Sequence, residues 1–321
     1  MTDASAPQRH DWDVIVIGGG AAGLSAALML GRSRRRVLVV DAGAPRNGPA
    51  GHMHGVLGRD HTSPADLLAA GRAELTRYDV TIESGAVASA AQLDDEVPGF
   101  EVVLDSGERY TARRLLVATG LVDELPDVPG LAEQWGRGVV MCPYCDGWEV
   151  RDERVAVLAG ARVDTHQAQL MRQVAADVTL YANGAAVLDR VRAELDACDI
   201  ALDEREIERV VADAEGRLAG IRFADGSERA VDVLFVAPKA VPNDGVLRGL
   251  FARTMRESGV NWALLDDAGQ TSVRGLYAAG NVVSAKSSVP WAMSSGSLAG
   301  TAINADLVAE DVRRAVASAA G

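Results

Sequence analysis

A glycine-rich turn between two short apolar runs places the strongest limit on how this chain can fold. Val14 to Ile17 is a continuous apolar run, as expected of a strand buried in a parallel sheet. It leads into Gly18-Gly19-Gly20-Ala21-Ala22-Gly23 and a helical pattern, and a second run, Val37 to Val40, ends at Asp41. Strand, G-x-G-x-x-G, helix, strand and acid in this order form a dinucleotide-binding fingerprint.

Each residue of this fingerprint has a physical role. Gly18 makes the tight turn, Gly20 lets a pyrophosphate approach the backbone, and Gly23 lets the helix pack on the strand. Asp41, 23 residues after Gly18 (41 − 18), can accept hydrogen bonds from the ribose hydroxyls. We therefore expect an adenine dinucleotide at this turn.

The chain then repeats this pattern. Val155 to Gly184 aligns on Val14 to Gly43 without a gap, at an offset of 141 residues (155 − 14). The hairpin that follows the first copy, from Phe100 to Tyr110, has a counterpart between Ile221 and Val236. Duplication over this length predicts two copies of one nucleotide-binding architecture.

The second copy has lost its phosphate-binding chemistry. The replaced positions are Ala159, Ala161 and Asp164 for Gly18, Gly20 and Gly23, and Ala182 for Asp41. Added methyl groups obstruct a close approach to the backbone, and the Asp164 carboxylate repels a phosphate that a helix N-terminus would attract. Asp164 is also a good helix cap. Under either interpretation, a dinucleotide has little to hold it here.

Between the two copies lies a C-x-x-C motif, Cys142-Pro143-Tyr144-Cys145, followed directly by Asp146. Two cysteines at this spacing can close a redox-active disulfide, and the carboxyl beside them can pass a proton. A structural zinc site needs four ligands, and after the motif only Cys198 and His166 remain. Two packed, inert cysteines are the other alternative. The pattern favours the redox disulfide, with no metal.

Other segments are candidates for proton or cofactor chemistry. The loop from Pro45 to Pro64 carries three histidines that can help with proton transfer or simply be solvated: His52, His54 and His61. Asn281 follows an apolar strand pattern, a natural place to meet a cofactor. The small residues of Ala292 to Gly300 allow a helix either to press its backbone against a flat ring or to pack tightly on another helix.

Composition limits the compartment and the partners. The net charge of −13 argues against nucleic acid or an anionic membrane as a partner. The first 13 residues are polar and unlike a signal peptide, and no apolar run approaches the roughly 20 residues of a transmembrane helix. Three cysteines without a secretion signal predict a cytoplasmic protein.

Together these motifs resemble the low-molecular-weight thioredoxin reductase family over essentially the whole length. The resemblance implies an α/β fold with two Rossmann-like nucleotide-binding domains (ββα, three-layer), the second inserted in the first. Residues 1–120 and 240–321 then form the FAD-binding domain. Residues 121–239 form an inserted, degenerate NAD(P)-type domain that carries the C-x-x-C motif.

The resemblance also implies roles for individual residues. Cys145 lies against the flavin, Cys142 faces the substrate, and Asp146 is the acid/base. The positions implied to bind FAD are Gly18, Gly20, Gly23, Asp41, Gly120, Asn281 and the backbone of Ala292. Two departures from the family stand out. Asn281 replaces the acid of its A-A-G-D motif, and Ala182-Asn183-Gly184 stands where reductases carry arginines for the 2′-phosphate.

The chain combines a lost nicotinamide site with an intact C-x-x-C motif. In this it resembles the dithiol oxidases of natural-product pathways, which close the disulfides of holomycin- and gliotoxin-type metabolites. The resemblance implies a homodimeric, FAD-dependent oxidase that closes a disulfide in a small-molecule dithiol and reduces O2 to H2O2. Two alternatives stay open: an NADPH-dependent thioredoxin or disulfide reductase, and a redox-sensing flavoprotein that binds a partner. Four aromatic residues can either line an apolar substrate pocket or belong to the ordinary hydrophobic core: Trp135, Tyr144, Trp148 and Trp291.

Overall fold

The chain has an α/β fold, and the computed structural model describes residues 10–93, 98–160 and 162–320 of it. In chain order the strands are β1 (Trp12–Ile17), β2 (Val37–Asp41), β3 (Val80–Ser84), β4 (Val87–Gln92), β5 (Phe100–Leu104), β6 (Arg109–Val117), β7 (Leu121–Glu124), β8 (Val139–Val140), β9 (Val155–Leu158), β10 (Val178–Tyr181), β11 (Ala201–Asp203), β12 (Ile207–Ala212), β13 (Leu218–Phe223), β14 (Glu228–Ala230), β15 (Val233–Phe235), β16 (Lys239–Pro242), β17 (Thr254–Glu257), β18 (Val260–Ala263) and β19 (Leu276–Ala278). The α-helices are α1 (Ala21–Arg32), α2 (Pro64–Leu75), α3 (Pro143–Asp146), α4 (His166–Arg172), α5 (Asp189–Ala197), α6 (Gly245–Gly249) and α7 (Val289–Ala320).

The first of two compact units takes in the described residues of 1–46, 65–122 and 240–321. Its main sheet has the order β3-β2-β1-β6-β5-β4, and β19 also pairs with β6. The strands β3, β2, β1, β6 and β19 pair in parallel, whereas β4, β5 and β6 pair antiparallel. The G-x-G-x-x-G turn therefore lies at the carboxyl end of a central parallel strand, as the fingerprint predicts.

Strand β1 is buried on both of its faces. Val14 and Val16 pack into a core formed with α1 and α7, whereas Ile15 and Ile17 pack into a second core on the opposite face of the sheet. None of the four is more than 5% exposed. The expectation that this continuous apolar run is an interior strand of a parallel sheet is confirmed.

Helices α1 and α7 approach each other closely through glycines. A Cβ added at Gly296 would lie 2.0 Å from the carbonyl oxygen of Ala22, and one added at Gly300 would lie 2.7 Å from that of Ala26. Side chains at these two positions would force the helix axes apart. Tight helix packing is therefore a sufficient reason for the small residues at these two positions.

Buried ion pairs also hold α7 against the sheet. Arg114 is fully buried on β6, and its Nη2 donates to Oε2 of Glu310 at 2.7 Å. Its Nε donates to Oδ2 of Asp306 at 2.6 Å. The neighbouring Arg113 donates from Nη2 to Oε1 of Glu310 at 2.7 Å. Removing Glu310 would take away the buried carboxylate that both arginines share, which is destabilising.

The second compact unit takes in residues 47–64 and the described residues of 123–239. It has a five-stranded parallel sheet of order β11-β10-β9-β15-β8 and a three-stranded antiparallel sheet of order β12-β13-β14. Val155 pairs with Val178 on β9 and β10, as Val14 pairs with Val37 on β1 and β2. The duplicated sequence thus forms the same strand pair in both units.

The loop of residues 47–64 groups with the second unit, which also holds the cysteine motif. It has neither helix nor strand before Pro64, in line with its glycine and proline content. This placement brings the loop histidines into the unit where the disulfide lies. The domain bounds given above remain a prediction.

The chain passes between the two units at β7 and β16, and these two strands pair with each other. Just beyond them, the backbone N–H of Asn243 donates to the carbonyl of Gly120 at 3.0 Å, and Thr119 Oγ1 donates to the carbonyl of Asn243 at 2.7 Å.

Of the described helices, none is both long and apolar enough to cross a lipid bilayer.

Candidate active site

The cysteine motif folds into one short helical turn closed by a disulfide. Cys142 precedes α3, and its sulfur is bonded to that of Cys145, with 5.2 Å between the two Cα atoms. Pro143 occupies the first helical position, where a missing N–H costs nothing. The backbone N–H of Cys145 donates to Sγ of Cys142 at 3.1 Å. This amide can stabilise negative charge on the Cys142 sulfur when the disulfide opens.

A side chain of helix α4 contacts the backbone just before the cysteine turn and supports it. Gln167 donates from Nε2 to the carbonyl of Met141 at 2.7 Å and to that of Val236 at 3.4 Å, which fixes the residue just before Cys142. Gly147 closes the other end, where an added Cβ would lie 2.4 Å from the carbonyl oxygen of Pro143. Sequence reasoning missed Gln167, because its importance comes from a contact with residues far along the chain.

Asp146 has an unusual electrostatic environment for a carboxyl group. Burial raises its pKa to about 6, the positive charge of His54 lowers it in opposition, and the negative charge of Glu149 raises it further. A carboxyl with a pKa near neutrality can both take up and release a proton during turnover. This environment suits the acid/base role expected of Asp146.

Two of the four aromatic candidates lie exposed beside the cysteines. Tyr144 is 80% exposed and Trp148 is 65% exposed, and the Arg151 guanidinium lies 4.4 Å from the Trp148 ring centroid. Trp135 instead packs against the hydrophobic core of the second unit. Trp291 is exposed at the start of α7 in the first unit. Exposed rings at Tyr144 and Trp148 are available to contact a flat apolar substrate.

The degenerate nucleotide-binding turn of the second unit is occupied by its own side chains. Asp164 accepts a hydrogen bond at 2.8 Å from the backbone N–H of His166, the first residue of α4, whereas the N-cap position itself is Thr165, whose side chain makes no capping hydrogen bond. Asn183 accepts one at 2.8 Å from the backbone N–H of Ile207. The replaced position Ala161 lies outside the described residues. A negative charge therefore stands at the helix start where a phosphate would need to bind.

The corresponding turn of the first unit is open. Gly18 has a φ of 105°, and an added Cβ would lie 2.4 Å from the carbonyl oxygen of Ala118. A Cβ at Gly23 would lie 1.8 Å from the carbonyl of Gly18. Around Gly20, by contrast, no atom of the described residues other than Gly20 and its chain neighbours lies within 4 Å of an added Cβ, so there is space before the N-terminus of α1. The residues present fit a pyrophosphate group.

Asp41 stands at the end of β2 beside this turn. Its Oδ1 accepts a hydrogen bond from the backbone N–H of Gly19 at 3.1 Å, and its Oδ2 pairs with the Arg72 guanidinium from α2. A ribose bound here would share these carboxylate oxygens with Arg72.

The remaining cofactor candidates lie on the carboxyl side of the same sheet. Asn281 donates from its side-chain nitrogen to the carbonyls of Ser284 and Ser287, both at 3.0 Å. These bonds orient the amide so that Oδ1 is the atom left to accept, as an aspartate oxygen would. Gly120 has a φ of 71°, and Ala292 is buried in the first turn of α7.

A dinucleotide-type turn in one unit and a cysteine disulfide in the other define a nucleotide-dependent disulfide oxidoreductase. Comparison with known proteins agrees, because residues 12–304 match the family described as pyridine nucleotide-disulphide oxidoreductase. The chain belongs to this family and is an oxidoreductase.

Individual similar proteins show which branch of this family the chain resembles. Thioredoxin reductase tcpT of Claviceps purpurea (strain 20.1) is 37% identical over 311 residues, which cover 93% of this chain and 95% of that protein. Thioredoxin reductase sirT of Leptosphaeria maculans is 32% identical over 324 residues, covering 94% and 96%. The crystal structure of HlmI has a TM-score of 0.92 and 42% identity, covering 98% of this chain and 99% of that one. The expected thioredoxin reductase-like fold and family are confirmed.

Proposed function

We propose that this protein is an FAD-dependent dithiol oxidase, which closes a disulfide within a small-molecule dithiol of the natural-product class and uses O2 as the electron acceptor. One observation carries the proposal: a single unit holds a C-x-x-C disulfide together with a nucleotide-binding turn that carries the Asp164 carboxylate next to the start of α4. A reductase must take electrons from NADPH at that turn. An oxidase takes them from the dithiol at the cysteines and does not need the turn.

Two thiol–disulfide exchanges move the electrons from substrate to protein. In the first, a substrate thiolate attacks Sγ of Cys142, the bond to Cys145 breaks, and Cys145 leaves as a thiolate. In the second, the other substrate thiolate attacks the substrate sulfur of the mixed disulfide, and Cys142 leaves as a thiolate. The substrate loses two protons and two electrons and becomes a cyclic disulfide, and the cysteine pair gains the two electrons.

Local groups support each exchange. The Cys145 N–H, 3.1 Å from Sγ of Cys142, stabilises that sulfur as it leaves in the second exchange, and a better leaving group speeds the exchange. Asp146, with a pKa of about 6, is mostly ionised at neutral pH and takes a proton from a substrate thiol. Tyr144 and Trp148 offer exposed aromatic faces to the substrate.

Bound FAD would supply the two-electron acceptor for the reduced cysteine pair, and O2 would take the electrons on to give H2O2. The open glycine turn and the start of α1 would hold its pyrophosphate. The residues proposed to hold it are Gly18, Gly20, Gly23, Asp41, Gly120, Asn281 and Ala292. Following the family resemblance, we assign the flavin-facing role to Cys145 and the substrate-facing role to Cys142, and we expect a cytoplasmic homodimer.

The second candidate is an NADPH-dependent reductase of thioredoxin or of a small disulfide. The names of the relatives from Claviceps purpurea and Leptosphaeria maculans favour it. Against it stand the four replaced positions of the second copy. If each costs about 1 kcal/mol of binding, together they weaken nicotinamide nucleotide binding by on the order of 10³-fold.

Anaerobic mixing of the oxidised holoenzyme with one reductant at a time tests the proposal. NADPH or NADH at micromolar concentration should leave the flavin yellow for minutes. Dithiothreitol, a dithiol that cyclises on oxidation, should bleach it, and air should restore the colour with formation of H2O2. The Cys142→Ser variant is the control and should not be bleached by the dithiol through exchange. Rapid bleaching of the flavin by NADPH would contradict the oxidase proposal and favour the reductase.

A further inference from the structure

The histidine loop of the second unit forms a cluster of potential metal ligands. One nitrogen each of His54 and His61 and one carboxylate oxygen of Asp60 all lie within 4.8 Å of one another. The rings of His54 and His61 meet edge to face with 4.6 Å between centroids. The third loop histidine, His52, stands farther off, with its ring centroid 6.5 Å from that of His61.

The distances within the cluster are close to those of a coordinated ion. Nδ1 of His54 lies 3.6 Å from Oδ1 of Asp60, and Nε2 of His61 lies 3.8 Å from Oδ2 of Asp60. Nitrogen and oxygen ligands at about 2.0–2.1 Å from tetrahedral Zn2+ are roughly 3.4 Å apart. The ligand atoms are up to 4.8 Å apart here, so side-chain movements on the order of 1 Å would complete the coordination. The carboxylate already presents one oxygen to each histidine.

The loop backbone holds these three side chains in place. Gly55 N–H donates to Oδ1 of Asp60 at 3.0 Å, and Met53 N–H donates to the carbonyl of Thr62 at 3.0 Å, so the loop ends are tied together. His61 adopts a φ of 60°, in the left-handed region, where histidine, asparagine and aspartate are the most common residues after glycine. The loop backbone thus brings His61 next to Asp60.

A further carboxylate lies next to His54, one of the three candidate ligands. Oε1 of Glu149 lies 3.5 Å from Nε2 of His54, the ring nitrogen opposite the one that faces Asp60. Metal-bound histidines usually donate their second ring N–H to a carboxylate in this way, which fixes the tautomer and raises the basicity of the ligand. The side chain of His54 is 12% exposed, so its ring is held between the two acids.

We propose that His54, Asp60 and His61 bind a divalent transition metal ion, for which Zn2+ is the best match. Two imidazoles and one carboxylate are the donor set of open, three-ligand zinc sites, which leave a fourth position for water or an incoming ligand. This site does not depend on the oxidase proposal, because it is defined by its ligands alone.

Calorimetric titration of the oxidised holoenzyme with ZnCl2 tests this site. The Cys142–Cys145 disulfide removes the competing thiolates. We expect one equivalent of Zn2+ to bind, and Asp60→Asn or His61→Asn to weaken binding at least 100-fold. Asparagine at position 61 tolerates the left-handed backbone, so the loop keeps its shape. Glu149→Gln should weaken binding by about 10–100-fold, as losses behind a ligand do.

His52→Ala is the matched control, since it removes a histidine of the same loop outside the proposed ligand set. It should bind Zn2+ as the unchanged protein does. Co2+ in place of Zn2+ should give the visible absorption of a tetrahedral nitrogen and oxygen site, and this spectrum should be lost in His61→Asn. No stoichiometric binding would overturn the proposal. So would equal binding by Asp60→Asn, or loss of binding in His52→Ala or in a Cys142→Ser/Cys145→Ser double variant.

Discussion

Replacing Asp146 by asparagine removes the carboxyl next to the disulfide and keeps the size of the side chain. Because burial raises its pKa to about 6, roughly one in ten of these carboxyls is ionised at pH 5 and roughly nine in ten at pH 7. A general base works only in its ionised form. Ionisation of Asp146 should therefore raise the rate of flavin reduction by a dithiol about tenfold between pH 5 and pH 7.

The measurement is anaerobic stopped-flow bleaching by a dithiol across pH 5–9, for the natural protein and for Asp146→Asn. Ionisation of the substrate thiols also speeds the reaction with pH, but it does so equally in both proteins. The ratio of their rate constants isolates Asp146. It should rise about tenfold from pH 5 to pH 7, level off, and reach 10²–10⁴ on the plateau, the usual contribution of a positioned base.

A ratio near one at every pH would refute the role of Asp146 and direct attention to the loop histidines. A large ratio that does not change with pH would show that Asp146 only positions the turn. Glu149→Gln provides an internal check. Its negative charge raises the pKa of Asp146, so its removal should shift the rise to lower pH. FAD content should stay unchanged in both variants.

Three further predictions concern the sulfurs, the cofactor turn and the support of the cysteine turn. Cys142→Ser should leave a Cys145 thiolate that gives a long-wavelength charge-transfer band with the flavin, and Cys145→Ser should lack the band; the opposite pattern would reverse their roles. Cys198→Ser should keep nearly full turnover. Gly18→Ala should yield protein with little FAD, measured by the ratio of flavin to protein absorbance, because its Cβ would lie 2.4 Å from a backbone oxygen. Gln167→Ala should slow dithiol-driven reduction while FAD content is kept, because it frees the carbonyl before Cys142; equal reduction rates would show that this contact does not position the turn.

Local sequence patterns predicted strands β1, β2, β9, β10 and β19, the glycine turn of the first copy and the duplication, because each depends on residues close together in the chain. The continuous run of Val14 to Ile17 indicated burial on both faces, and the structure shows it. The fully buried Arg114 could not be found this way. An arginine in a strand pattern suggests an exposed residue, and its partner Glu310 lies 196 residues farther along the chain.

The site shows the same limit. The cysteines and Asp146 were visible as a motif, but the loop histidines carried no pattern that distinguished a ligand from a solvated side chain. Only the fold groups residues 47–64 with the second unit and sets Asp60 between His54 and His61. Contacts between segments about a hundred residues apart, such as that of His54 with Glu149, have no local sequence signature.

The two copies of the duplicated pattern use the first residues of their helices differently. At the offset of 141, Gln167 of α4 corresponds to Ala26 of α1 (167 − 141). Ala26 packs against Gly300 of α7. Gln167 instead reaches the carbonyl of Met141, and Asp164 binds the first N–H of α4. In the second copy, Gln167 near the start of α4 therefore holds the cysteine turn, and the neighbouring Asp164 carboxylate opposes the negative charge of a pyrophosphate.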